Sequence, residues 1–155
     1  MIGLLGRAVA TCCLLINITA WAQESPGASG NTGQARVVVY REGRYMGKAI
    51  KPPIYFDDQQ VGYLYNGRYF TIALTAGKHR LTSDDEETAV TLDPQPGATY
   101  YVRVGLSKSW KWVAHFSVQQ VEQAPASEAL KKMKPADAKH VTKPSLVSTA
   151  AEPLR

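Results

Sequence analysis

FDDQQVGYLYNGRYFTIAL, Phe56 to Leu74, places two tight-turn pairs, Asp57-Asp58 and Asn66-Gly67, within nineteen residues rich in tyrosine and aliphatic side chains. If Asn66-Gly67 is a two-residue type I′ turn, Tyr65 faces Arg68, Leu64 faces Tyr69 and Tyr63 faces Phe70. A turn at Asp57-Asp58 pairs Phe56 with Gln59 and sets Ile54 opposite Val61. Together these registers bring Ile54, Phe56, Val61, Tyr63, Tyr65, Phe70, Ile72 and Leu74 to one face. A slip of one residue would turn that whole set outward. The stretch therefore reads as two hairpins of a scaffold before it reads as a ligand site.

Outward from this stretch the apolar period stays near two. Arg36 to Arg41 (RVVVYR) is a β-branched run, and Val90 and Leu92 alternate with Ala89 and Thr91. Tyr100, Val102, Val104 and Leu106 alternate with Tyr101, Arg103 and Gly105, and Trp110, Trp112, Ala114, Phe116 and Val118 with Lys111, Val113, His115 and Ser117. Turn residues recurring every eight to twelve positions mark an all-β domain, a small antiparallel β-sandwich, and not strand-helix-strand units. A helix is expected only late: Ser127 caps Glu128 to Lys134, Leu130 and Met133 share a side, and Pro135 ends it. Such a short helix either docks through those two side chains or frays.

The N-terminus reads as a secretory signal peptide over residues 1–22. Arg7 is positive, Ala8 to Ala20 is mostly apolar, and Ala20-Trp21-Ala22 is a small-residue cleavage pattern. Asn17 breaks the run short of the ~20 apolar residues that span a bilayer, so no transmembrane segment is expected after cleavage. Cys12 and Cys13 both fall within the apolar run. The mature chain then has no cysteine, which excludes disulfides, thiolate catalysis and Cys-ligated zinc. Residues 23–34 have linker composition, residues 35–122 form the β-sandwich, and residues 123–155 are a short helix followed by a disordered basic tail.

The chain carries a formal net charge of +5. Without Arg7 there are 17 basic and 13 acidic residues, and the tail from Ala124 holds six of the basic and three of the acidic ones. A mildly basic tail without a recognisable motif argues against nucleic acid and suits a solvated segment or one resting on an anionic envelope surface.

These residues resemble the domain of unknown function 2846 family of exported bacterial proteins and lipoproteins. The likeness runs through Val39-Tyr40-Arg41, Ile54-Tyr55-Phe56-Asp57, Val61-Gly62 with Leu64, Asn66-Gly67, Tyr69-Phe70, Gly77 and His79, then Gly97 and Thr99-Tyr100-Tyr101-Val102. The Asp turn and the later Gly-Lys-His are also similar to the short PEGA sandwich modules. Asp58 stands where the family usually has glycine, and Ala76 where it usually has proline. The family carries no established catalytic activity, so the resemblance implies location and fold and leaves function open.

Candidate chemistry is sparse. Asp84-Asp85-Glu86-Glu87 is the one concentrated carboxylate group, but consecutive acids in a strand alternate sides and lack the spacing of a calcium loop. They read as a solvated tip that discourages edge pairing. His79, His115 and His140 form no local metal motif, and His79 is expected to pack or hydrogen-bond near Leu74. Gly105 to Ser109 lacks the second glycine of a nucleophile elbow. Tyr55, Tyr69, Tyr101, Trp110 and Trp112 among Arg44, Arg68, Arg103 and Lys111 suit stacking on partners, with Tyr101, Arg103 and Tyr69 the better surface candidates. No catalytic, cofactor-binding or metal-binding residue is assigned. The reading is a non-enzymatic binding or structural module of the bacterial periplasm, with an envelope protein or cell-wall component as partner. An envelope hydrolase or metal-dependent enzyme is the alternative.

Overall fold

The structure, a computed structural model, describes residues 33–107 and 114–149. The expected signal peptide, most of the linker, and Trp110, Lys111 and Trp112 lie outside those residues. Strand β1 (Ala35–Arg41) organises the rest, because every side chain from Val37 to Arg41 is buried. Val37 and Val39 point into one apolar cluster, and Val38 and Tyr40 into another on the opposite face. A run of β-branched residues suits a strand covered on both sides.

β1 pairs antiparallel with β4 (Arg68–Leu74), Val39 opposite Phe70, and parallel with β7 (Thr99–Ser107), Val39 opposite Val102. β7 continues antiparallel to β8 (His115–Val121). The short strands β9 (Lys134–Pro135) and β10 (Val147–Ser148) line the other side of β4. The second sheet runs in the order β3 (Gln59–Tyr63), β2 (Pro53–Phe56), β5 (His79–Thr82), β6 (Val90–Leu92). Between the sheets lie Val37, Val39, Ile54, Phe56, Val61, Leu64, Phe70, Ile72, Leu74, Leu81, Val102 and Phe116. The described residues form an all-β sandwich with one short α-helix, α1 (Gln123–Leu130).

Of the two turns that carried the register, one stands and one does not. Asp57 and Asp58 both take positive φ, 49° and 60°, as a type I′ turn requires, and Phe56 pairs with Gln59. Aspartate tolerates that conformation through its short polar side chain. A bulge then shifts the ladder, so Ile54 faces Gly62 and not Val61. Asn66-Gly67 makes no hairpin. Only Gly67 has positive φ (69°), and the turn, closed by Arg68 N–H on the Tyr65 carbonyl at 3.2 Å, carries the chain from one sheet to the other. The reason is competition: β1 takes the edge of β4 that β3 would have used. The crossing also buries Leu64 on the Phe70 side and leaves Tyr63 exposed, which the flat hairpin register would have reversed.

The end of the chain differs from expectation as well. α1 begins at Gln123 and not after Ser127, with Pro125 in its first turn where no helical N–H is lost. It docks on the outer face of the larger sheet, burying Ala126 and Leu130, with Met133 beside them, over Val38, Tyr40, Tyr69 and Tyr101. Beyond Pro135, where disorder was expected, the chain crosses the open side of the sandwich. Thr142 N–H donates to the Val61 carbonyl at 2.9 Å, Val147 pairs with Ile72, and Ala136, Val141, Leu146 and Val147 join the core. These apolar residues show no period because successive segments rest on different strands. Gly62 is where the crossing is tightest: a Cβ there would stand 2.7 Å from the His140 carbonyl oxygen.

The other side of the sandwich is closed by side chains. Asp84 Oδ1 accepts the Phe116 N–H at 2.8 Å, and Thr88 Oγ1 accepts the Val118 N–H at 3.1 Å. Asp84, with Thr88 beyond the acidic run, thus occupies outward donors of the edge strand β8, a specific form of the edge protection expected of this segment.

Candidate functional site

At the C-terminal end of β1 a buried arginine supports an exposed loop. Arg41 is 4% exposed and has no carboxylate partner among the described residues. Its Nη2 donates to the Gly47 carbonyl at 2.6 Å and its Nη1 to the Ile50 carbonyl at 2.6 Å, while the guanidinium lies 4.5 Å from the centre of the Phe116 ring. Burial pulls its pKa below the ordinary arginine value. The planar fork meets the two carbonyls through two separate nitrogens, a fixed geometry that the single nitrogen of a lysine does not reproduce. A buried cation is costly unless its donors are used, so these contacts tie the loop to the core.

The loop itself is two successive turns. Lys48 N–H donates to the Tyr45 carbonyl at 3.3 Å and Ile50 N–H to the Gly47 carbonyl at 3.0 Å, with Gly47 at φ 76°. Asn66 Oδ1 accepts the Arg44 N–H at 3.0 Å, so the Asn66-Gly67 turn props the loop from below. What the loop presents is Tyr45, 97% exposed, and Met46, 76% exposed, between the cations Arg44 and Lys48. Sequence reasoning passed over these residues. The available signal was a Tyr-Met pair between two glycines, Gly43-Arg44-Tyr45-Met46-Gly47, a composition unsuited to a strand and too apolar for an ordinary turn.

A second constellation sits at the opposite end of β1. His79 Nδ1 lies 2.7 Å from Asp57 Oδ2, its Nε2 lies 3.3 Å from Thr75 Oγ1 and 3.1 Å from the Thr75 carbonyl, and its ring stacks on Phe56 at 4.9 Å. Hydroxyl, imidazole and carboxylate in this order resemble a hydrolytic triad. With Nδ1–H donating to Asp57, the neutral ring keeps its Nε2 lone pair toward the Thr75 hydroxyl, so the alignment is compatible with that role as well as with packing. Asp57 Oδ1 also accepts the Arg80 N–H at 2.9 Å. The group therefore fastens the Asp57-Asp58 turn to β5, as expected of a packing histidine near Leu74.

The remaining sequence candidates are scattered. Tyr69 and Tyr101, expected at the surface, are buried beneath α1. The parity was read correctly, but the helix covers that face. Arg103 remains partly exposed and donates to Gln119 Oε1 at 2.8 Å. Arg68 donates to the Pro135 carbonyl at 2.8 Å, and Tyr55 is half-buried. His115 is half-buried at the start of β8, and His140 stacks on Tyr65 at 3.9 Å. Among the described residues no three His, Cys, Asp or Glu side chains converge as metal ligands. No helix among them is long and apolar enough to cross a membrane.

The fold and site define an all-β, two-sheet domain that presents one braced, exposed loop. The chain belongs to the family described as "Protein of unknown function (DUF2846)", which it matches over residues 31–116. It is similar to an "Uncharacterized protein" of Haemophilus influenzae, 24% identical over 107 residues that make up 68% of this chain and 62% of that protein. The match thus spans less than two thirds of that relative's length. No solved structure matches the chain. The loop, its arginine anchor and the Asp57–His79 pair all fall within the family match, whereas α1 and the crossing tail fall outside it.

Proposed function

We propose that the protein is a non-enzymatic binding module of the bacterial cell envelope, exported with removal of residues 1–22, and that it binds through the loop after β1. The observation that carries this reading is the pair of 2.6 Å hydrogen bonds from Arg41 to the Gly47 and Ile50 carbonyls, which hold a loop whose Tyr45 and Met46 face solvent. Exposed large apolar side chains are ordinary singly, but adjacent ones on a braced turn are suited to a partner. The envelope setting rests on the signal-peptide pattern of Arg7, the apolar run and Ala20-Trp21-Ala22.

The test compares capture with turnover. Immobilised protein should retain envelope material, Tyr45→Ala with Met46→Ala should lose most of it, and Thr75→Val or His79→Gln should leave it intact. A hydrolase reading is favoured by one observation, the Thr75–His79–Asp57 alignment. Turnover of ester or cell-wall substrates that disappears in Thr75→Val and His79→Gln would establish that second reading and remove the first.

A further inference from the structure

We infer that the loop from Gly43 to Lys51 docks on a bilayer containing anionic lipid, seating Tyr45 and Met46 at the headgroup boundary. This inference rests on the reading of the chain as a binding module. Four apolar side chains gather at this end: Tyr45, Met46, Ile50 at 42% exposure and Leu106 at 38%. Leu106 borders the loop, since a Cβ on Gly47 would stand 3.7 Å from its Cδ2. Around them are Arg44, Lys48 and Lys51, and from Gly43 to Phe56 the chain has no acidic residue. The nearest carboxylate in sequence, Glu42, is engaged by Arg44 at 3.0 Å.

That combination matches the two layers of a lipid interface. Aromatic and aliphatic side chains partition to the boundary between headgroups and acyl chains, while flanking Lys and Arg meet lipid phosphates. A protein partner would ordinarily need roughly 800 Å² from each side with an aromatic anchor seated in a shaped pocket. Here the apolar residues cap a narrow double turn, and the Tyr45 side chain, 97% exposed, stands clear of its neighbours among the described residues. A fluid interface receives such a projection without a complementary surface. The Arg41 brace helps because the loop loses little conformational freedom on docking.

The experiment uses the chain as the cell produces it, its N-terminus read by intact mass, sedimented with vesicles of phosphatidylcholine alone or mixed with phosphatidylglycerol. Binding should favour the mixed vesicles and fall with added salt. Tyr45→Ala with Met46→Ala should lower the bound-to-free ratio about tenfold or more. Lys48→Glu should lower it on the mixed vesicles, and Lys132→Glu with Lys139→Glu, on the C-terminal segment, should leave it unchanged. All these side chains are exposed, so melting temperature serves as a check that the fold is intact. Absence of binding to the mixed vesicles overturns the inference, as does binding abolished by the Lys132/Lys139 pair and kept by the loop variant. Should vesicles fail while an envelope protein is captured by the parent and lost with Tyr45→Ala and Met46→Ala, the partner is a protein and the binding-module reading stands alone. If neither vesicles nor envelope material is retained, both readings fall.

Discussion

Arg41 and Gly47 are joined across the rim of the sandwich by a 2.6 Å hydrogen bond from a buried guanidinium to a loop carbonyl, six residues on. Arg41→Lys keeps the charge but offers a single nitrogen in place of the fork that meets the Gly47 and Ile50 carbonyls, and Arg41→Ala removes that donor from both, leaving the Gly47 carbonyl only the Ile50 N–H. We expect a loss of roughly 2–4 kcal/mol in denaturant unfolding for Arg41→Ala and a smaller one for Arg41→Lys. Amide exchange from Arg44 to Ile50 should rise in both. Unchanged exchange in Arg41→Ala would remove the brace from the account.

Gly62 and His140 supply a second test. A methyl group on Gly62 meets the His140 carbonyl oxygen at 2.7 Å, so Gly62→Ala should push the C-terminal crossing away and cost about 1–3 kcal/mol. In a chain ending at Ala136 the same substitution should cost almost nothing. Equal penalties in the two backgrounds would show that the tail does not rest on Gly62.

Asp84 is predicted to act as a cap on β8 and not as a metal ligand. Asp84→Ala removes the acceptor of the Phe116 N–H and should cost about 1–2 kcal/mol, while Asp84→Asn keeps an acceptor oxygen and should cost less. Light scattering should rise for Asp84→Ala as the edge opens to pairing between molecules. Melting that depends on added calcium in the parent protein and not in Asp84→Ala would favour the metal reading instead.

Tyr40, 2% exposed, gives a pH dependence. Burial chiefly raises its phenol pKa above the ordinary tyrosine value of 10.0, with Arg103 opposing and Glu42 adding. The folded state thus holds the proton more tightly than the unfolded chain. Its contribution to stability is full below 10.0 and is lost as pH climbs from there through the raised folded value. Tyr40→Phe should lose less stability over that alkaline interval than the parent does. Parallel curves for the two proteins would assign the alkaline loss to other groups.

How far the sequence could be read follows from which forces are local. Phe70, Ile72 and Leu74 in β4 lie in the inter-sheet core because alternation marks the face that packs there, whereas the unbroken β-branched run of β1 is buried on both faces. The Asp57-Asp58 turn was legible for the same reason: its φ requirement is met by its own two residues. Asn66-Gly67 misled because a hairpin signal does not register that β1 will outcompete β3 for β4. Tyr69 and Tyr101 were assigned the correct parity and the wrong environment, since α1 comes from far along the chain to cover them. Arg41 closed the opening strand in sequence, and its role emerged only when folding brought Phe116, Gly47 and Ile50 around it.

The two candidate sites lie at opposite ends of β1, since Ala35 pairs with Leu74 beside Thr75 and Arg41 pairs with Arg68 beside Gly67. At ~3.3 Å per residue the strand separates them by roughly 20 Å, far enough for amide exchange to tell them apart. Exchange measured with and without cell-envelope membranes is therefore the most direct test. The account predicts slowed exchange from Arg44 to Lys51 and no change from Thr75 to Arg80. Slowing from Thr75 to Arg80, with Arg44 to Lys51 unaffected, would contradict it.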